Sequence, residues 1–168
     1  MTPPDPLYIQ ISEGRPLPEV GKFGPFRAIV VLDATYSDEW QDEVSRWLVN
    51  NGCLYMMAWG LNCSSWDDSV DYAQIQKYLP GDVPEHEFVM TTWHNDETLE
   101  SVFWFAQFNA HDPYDLITNT LIVHVGTADR RTEFLTLFEQ SYTLAERGLE
   151  PEIDPKTGQG WFRRLFSA

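Results

Sequence analysis

The sequence predicts an α/β fold: a three-layer sandwich of the flavodoxin-like or Rossmann-like type on a mainly parallel sheet of four to five strands. Three observations predict it. Four apolar runs, Arg27–Leu32, Cys53–Trp59, Phe88–Trp93 and Thr120–Val125, each end in a polar loop. Each loop leads into a stretch whose apolar residues recur with a helical period. Strands alternating with helices in this way form parallel sheets, and right-handed crossovers place helices on both faces.

Residues 1–26 form the first unit, an extended arm. They hold Pro3, Pro4, Pro6, Pro16, Pro18, Gly21, Gly24 and Pro25, a composition that punctuates regular structure. Within the arm, Leu7–Ile11 (LYIQI) has the pattern of a short edge strand. The α/β domain then spans residues 27–148. Arg27–Leu32 (RAIVVL) is a continuous apolar run, as expected of a central strand covered on both faces. Ser37 is placed to cap the following helix, and Asp38 and Glu39 occupy its first turn, where the helix dipole favours carboxylates. Trp40, Val44, Trp47 and Leu48 line one face of that helix, and Asn50-Asn51-Gly52 stops it.

Cys53–Trp59 is the second strand of the domain. After it, Ser64 with Asp67 and Ser65 with Asp68 both have capping-box-like spacing, and Trp66, Val70 and Ala73 form the next inner helix face. Phe88–Trp93 is the third strand, ending at His94-Asn95-Asp96. The helix expected over 97–109 is apolar nearly all round, because Trp104, Phe105 and Phe108 add to the stripe of Leu99, Val102, Phe103 and Ala106. Such a helix is covered on more than one side. Thr120–Val125 is the fourth strand and carries His124 among valines, a setting that favours a satisfied core histidine. Asp129 is read as the start of the last helix, with Phe134, Leu137, Phe138 and Ala145 inward. Residues 149–168 are the third unit, a loop and the basic aromatic tail GWFRRLFSA.

The 168 residues carry a formal charge of −15 from 26 acids and 11 bases. Lys156, Arg163 and Arg164 are the only charged residues beyond Pro155, so residues 1–155 carry −18. That body repels phosphates, which argues against nucleic acid as a partner. It suits a basic protein partner or serves solubility. Cys53 and Cys63 are the two cysteines. Placed at either end of one straight strand they are too far apart for a disulfide. Reduced thiols and the absence of a leader pattern predict a cytoplasmic protein. No apolar run approaches the ~20 residues of a membrane span.

In open α/β sheets ligands bind beyond the carboxyl ends of the strands. The residues expected there are Asp33 and Thr35; Asn62, Cys63 and Ser64; His94, Asn95 and Asp96; and Gly126, Thr127 and Asp129. Two chemistries are open. Cys63, beside a helix N-terminus, has the position of an activated thiol, with His94 as its base and Asp33 or Asp96 orienting the ring. Alternatively Asp33, Asp67, His94, Asp96 and Asp129 make an oxygen-rich set of the Mg²⁺ type. Helix capping explains most of these acids without a metal. Nucleotide phosphates lack a cradle, since none of the loops has closely spaced glycines. Read as a helix, the tail puts Trp161, Phe162, Leu165 and Phe166 on one face and its arginines on the other. It then docks on the chain's own acidic body, inserts into a partner's groove, or rests on a membrane surface.

The phrases WGLNCSSWDDSVD (Trp59–Asp71) and FVMTTWHNDETLESVFWF (Phe88–Phe105) resemble a group of short bacterial proteins that form a domain of unknown function. The resemblance covers the central half of the chain. It implies a bacterial cytosolic protein and transfers no catalytic residue. Small size and acidity are also similar to those of bacterial immunity and inhibitor proteins. The preferred expectation is a non-enzymatic acidic binding or regulatory protein without a cofactor, engaging a protein partner through Trp104, Phe105, Phe108, Trp161, Phe162 and Phe166. The alternative is a small hydrolase or transferase using Cys63, His94 and Asp33, with Mg²⁺ in its metal form.

Overall fold

A computed structural model describes residues 5–144, 147, 149–153 and 160–164. It contains a five-stranded, all-parallel sheet in the order β1-β5-β2-β3-β4. The strands are β1 (Leu7–Ile11), β2 (Phe26–Leu32), β3 (Cys53–Gly60), β4 (Met90–His94) and β5 (Asn119–Val125). The helices are α1 (Asp38–Asn50), α2 (Ser65–Tyr78), α3 (Leu99–Phe108) and α4 (Arg131–Ser141). The three-layer α/β reading is therefore observed. Leu7–Ile11 is an edge strand of the same sheet and pairs with β5, more than a hundred positions along the chain.

Two apolar cores sandwich the sheet. Ala28, Val30, Met56, Ala58, Leu121 and Val123 face α1 and α2, which contribute Trp40, Val44, Leu48, Trp66 and Val70. The alternate residues Ile29, Val31, Met57 and Ile122 face α3 and α4, which contribute Val102, Phe103, Phe134 and Phe138. β2 is thus covered on both sides, as its unbroken apolar run requires. Full burial of one such side chain contributes about 1.5–3 kcal/mol.

Local signals worked unevenly. Ser37 caps α1 by accepting from Trp40 N at 3.3 Å. At α2, Ser64 is the N-cap residue but makes no side-chain cap bond. Ser65 donates instead to Asn62 O and to Gln41 Oε1, so the capping boxes read there do not form. Thr98, rather than Asp96, caps α3 through Ser101 N at 3.2 Å. Asp129 Oδ1 accepts from Arg131 N at 2.9 Å just before α4.

Beyond the sheet, β6 (Leu149–Ile153) and β7 (Gly160–Arg164) pair as an antiparallel hairpin. The expectation of a helical tail is corrected over those residues. Gly160–Arg164 are extended and strand-paired, not helical. β7 runs beside α3. Phe166 lies outside the described residues. No described helix is long and apolar enough to cross a membrane, and both cysteines are free.

Gly60 closes β3 where it comes nearest to β2. Its φ is +106°, and an added Cβ would sit 2.5 Å from Leu32 O. Leu61 N donates to that same oxygen at 3.0 Å, so the backbone cannot yield without breaking a bond. We expect Gly60→Ala to lower unfolding free energy by at least about 2 kcal/mol in urea titrations, the cost of a strained backbone plus a collision. Gly14→Ala, also at positive φ but in open space, should cost only about 1 kcal/mol.

Candidate functional site

The transverse row Gln10, His124, Val31, Trp59 and His94 crosses the sheet one residue before the ends of β1, β5, β2 and β3 and at the last residue of β4. Laterally paired residues of a parallel sheet share a face, so both histidines lie on the side of α3 and α4. Each is fully buried. Each is also bound at both ring nitrogens.

His124 Nδ1 lies 2.7 Å from the Tyr8 hydroxyl, and its Nε2 lies 2.7 Å from Asp33 Oδ2. Arg130 N donates to the Tyr8 oxygen at 3.2 Å. The phenol oxygen thus accepts from Arg130 N and lies within hydrogen-bond reach of His124 Nδ1. Arg130 Nη1 also donates to Asp33 Oδ2 at 2.7 Å and pairs with Glu133 through its other nitrogens. Burial alone would raise the Asp33 carboxyl. The hydrogen bonds and charges of Arg130 and His124 outweigh it and hold the group below its usual range. Gly126 makes the arrangement possible, since a Cβ there would lie 2.9 Å from His124 Nε2.

His94 forms a second assembly. Its Nδ1 lies 2.7 Å from Glu97 Oε1 and its Nε2 lies 3.0 Å from Thr92 Oγ1. Ser101 donates to Glu97 Oε2 at 3.1 Å, and the Trp59 indole donates to Glu97 O at 2.8 Å. The His94 ring packs edge-on against Phe105. The contacts of His94 and Ser101 hold a carboxylate that is only 2% exposed.

A cleft of about 370 Å³ lies between the two assemblies. Asp33 and Glu97 line it, with Trp59, Asn95 and the ridge of Gly60 and Leu61. Both bonds of Asp33 fall on Oδ2, and no described residue takes Oδ1. On the other side of the ridge, a cavity of about 250 Å³ opens between the N-terminal ends of α1 and α2.

The structure does not bring Cys63 and His94 together. Cys63 belongs to the core under α1 and α2, whereas the His94 ring faces Phe105 in the opposite core. The Cys63 thiol donates to Asn95 Oδ1 at 2.8 Å. Burial pushes its pKa up, despite backbone hydrogen bonds that favour the thiolate. Nor do Asp33, Asp67, His94, Asp96 and Asp129 converge: among the described residues no three metal-ligating side chains are grouped. Of the aromatic residues expected at a partner surface, Phe105 is buried, Trp104 is half-buried against Phe108, and Phe108 is 38% exposed. Trp161 and Phe162 lie in β7.

Sequence reasoning missed Tyr8, Arg130 and Glu97. His124 was legible as a satisfied interior histidine, but its partners come from β1, the end of β2 and the start of α4. Only the strand order brings those together.

The family model of DUF7684, a domain of unknown function, matches residues 6–141. The chain belongs to this family. The DUF7684 match begins just before β1 and ends with α4, so it takes in the edge strand and both histidine assemblies and leaves the β6–β7 hairpin outside. No curated protein and no solved structure matches the chain.

Two measurements check this geometry. Asp33 is held below its usual 3.8, so its contribution to stability is fully present above that pH and is lost as pH falls through the lower folded-state value. Carbon-detected titration should give an Asp33 midpoint below 3.8, and Asp33→Asn should flatten the stability profile in that window. Cys63 should react with iodoacetamide at pH 7.5 more slowly than free glutathione, because the thiol is buried and protonated.

Proposed function

We propose that the chain is a non-enzymatic acidic binding protein of the bacterial cytosol that engages a basic protein partner through the C-terminal edge of its sheet. The observation that carries this reading is the charge collected there. The first turns of α1, α2, α3 and α4 hold Asp38 and Glu39, Asp67 and Asp68, Glu100, and Glu133. Asp33 adds a carboxylate at the cleft. Leu61 stands between the two cavities at 53% exposure. Carboxylates around an exposed apolar knob suit a basic surface with an apolar recess, and complementary charge speeds and orients such an encounter. The free cysteines favour a reducing compartment. Two of the groups expected to do chemistry are engaged elsewhere: Cys63 with Asn95, and His94 with Glu97 and Thr92.

One observation favours the second reading, a hydrolase or transferase. Asp33 is an ionised carboxylate at a cleft, backed by His124 and Tyr8, which is an arrangement suited to a general base.

Fluorescence anisotropy with a labelled Lys/Arg-rich peptide carrying one leucine tests the binding reading. Affinity should fall at least tenfold between about 50 and 300 mM salt, as screened charge pairs require. It should fall again, by about tenfold, in Leu61→Ser and in Asp67→Asn/Asp68→Asn. Equal affinity for these variants and the unaltered chain would overturn the proposal.

A further inference from the structure

We infer that the cavity between the N-terminal ends of α1 and α2 is a separate site, one that takes a neutral, hydroxyl-rich small molecule of monosaccharide size. Its volume of about 250 Å³ falls just under the roughly 300–1,000 Å³ of pockets for drug-sized ligands. It lies at the C-terminal ends of the strands, where sheets of this type bind ligands.

The lining chemistry selects the class of ligand. Thr35, Asn62 and Ser64 line the cavity, and their side chains have no hydrogen-bond partner among the described residues. Two hydroxyls and one carboxamide offer donors and acceptors in one small space. Half-buried Tyr36 supplies aromatic surface beside them, next to the buried Trp40 and Trp66. This mixture matches a molecule with an apolar ring face and several hydroxyls.

Charge excludes the competing classes. No lysine, arginine or histidine lines the cavity, and Asp67 and Asp68 stand in the adjoining first turn of α2, so an anion is repelled. A cation finds a single carboxylate, Asp38, and among the described residues no three metal-ligating side chains are grouped. For a polyol, Asp38 is an acceptor of hydroxyl protons.

The cavity is also pre-organised, which lowers the cost of binding. Gln41 of α1 and Ser65 of α2 bridge its two walls: Gln41 Nε2 donates to Ser65 O at 2.9 Å, and Ser65 Oγ donates to Gln41 Oε1 at 3.2 Å. Asn62 has φ +53°, a left-handed conformation that asparagine tolerates better than most residues. Ser65 N and Ser65 Oγ both donate to its carbonyl, which fixes the turn.

Saturation-transfer NMR of the full chain with D-ribose, D-glucose or myo-inositol tests the inference, with phosphorus line-broadening for inorganic phosphate. Polyol concentrations of about 1–10 mM suit the weak affinity of a ligand this small. At least one polyol should show saturable transfer, and phosphate should not broaden. Transfer should drop at least tenfold in Thr35→Val/Asn62→Gly; glycine keeps the positive φ at position 62, and unchanged amide dispersion confirms that the variant folds. Thr136→Val, on the exposed face of α4, should leave transfer unchanged. The inference is overturned by no transfer from all three polyols, by transfer that survives in the double variant, or by phosphate broadening that the double variant abolishes. Because the peptide assay reads the edge through Leu61, Asp67 and Asp68, either proposal can fail without the other.

Discussion

One chain of hydrogen bonds holds the C-terminal edge of the sheet in place: Tyr8 to His124, His124 to Asp33, and Asp33 to Arg130. It joins the first strand, the two strands beside it and the start of the last helix. The participants lie far apart in sequence, so their alignment depends on the completed sheet. Leaving any of them unpartnered in this partly buried setting costs more than the bond itself contributes. The loops around the cleft and the cavity inherit their positions from this anchor.

The conspicuous reactive groups near this edge already have hydrogen-bond partners. A histidine bound at both nitrogens, with its ring sealed under Phe134 or Phe105, has no atom left for a substrate. The Cys63 thiol meets the His94 backbone, while the His94 imidazole turns into the opposite core. What faces outward is carboxylate, amide, hydroxyl and one leucine. The two hollows beside Leu61 differ in kind: Asp33 and the Trp59 residue line one, and uncharged polar groups most of the other.

Much of the fold was legible because it rests on local signals. The unbroken run in β2 announced burial on both faces, Ser37 announced the start of α1, and Leu7–Ile11 read as an edge strand. The site was less legible because it rests on register. Cys63 and His94 both fall beyond or near strand ends, and linear spacing does not reveal that they face opposite cores. Tyr8 reaches His124 only because β1 lies against β5, a neighbour from the far end of the domain. Asp96 resembled a cap, yet Thr98 was nearer the first turn and took the role. The aromatic tail had a helical spacing that the strand pairing of β6 and β7 overrode.

The account stands on the edge near Leu61 being a recognition surface. Amide and indole chemical-shift mapping during addition of the basic leucine-bearing peptide measures this most directly. The account predicts that the largest shifts cluster at Leu61, Asn62, Asn95 and the Trp59 indole, with α3 and the β6–β7 hairpin unmoved. Shifts confined to α3 and the hairpin would contradict it.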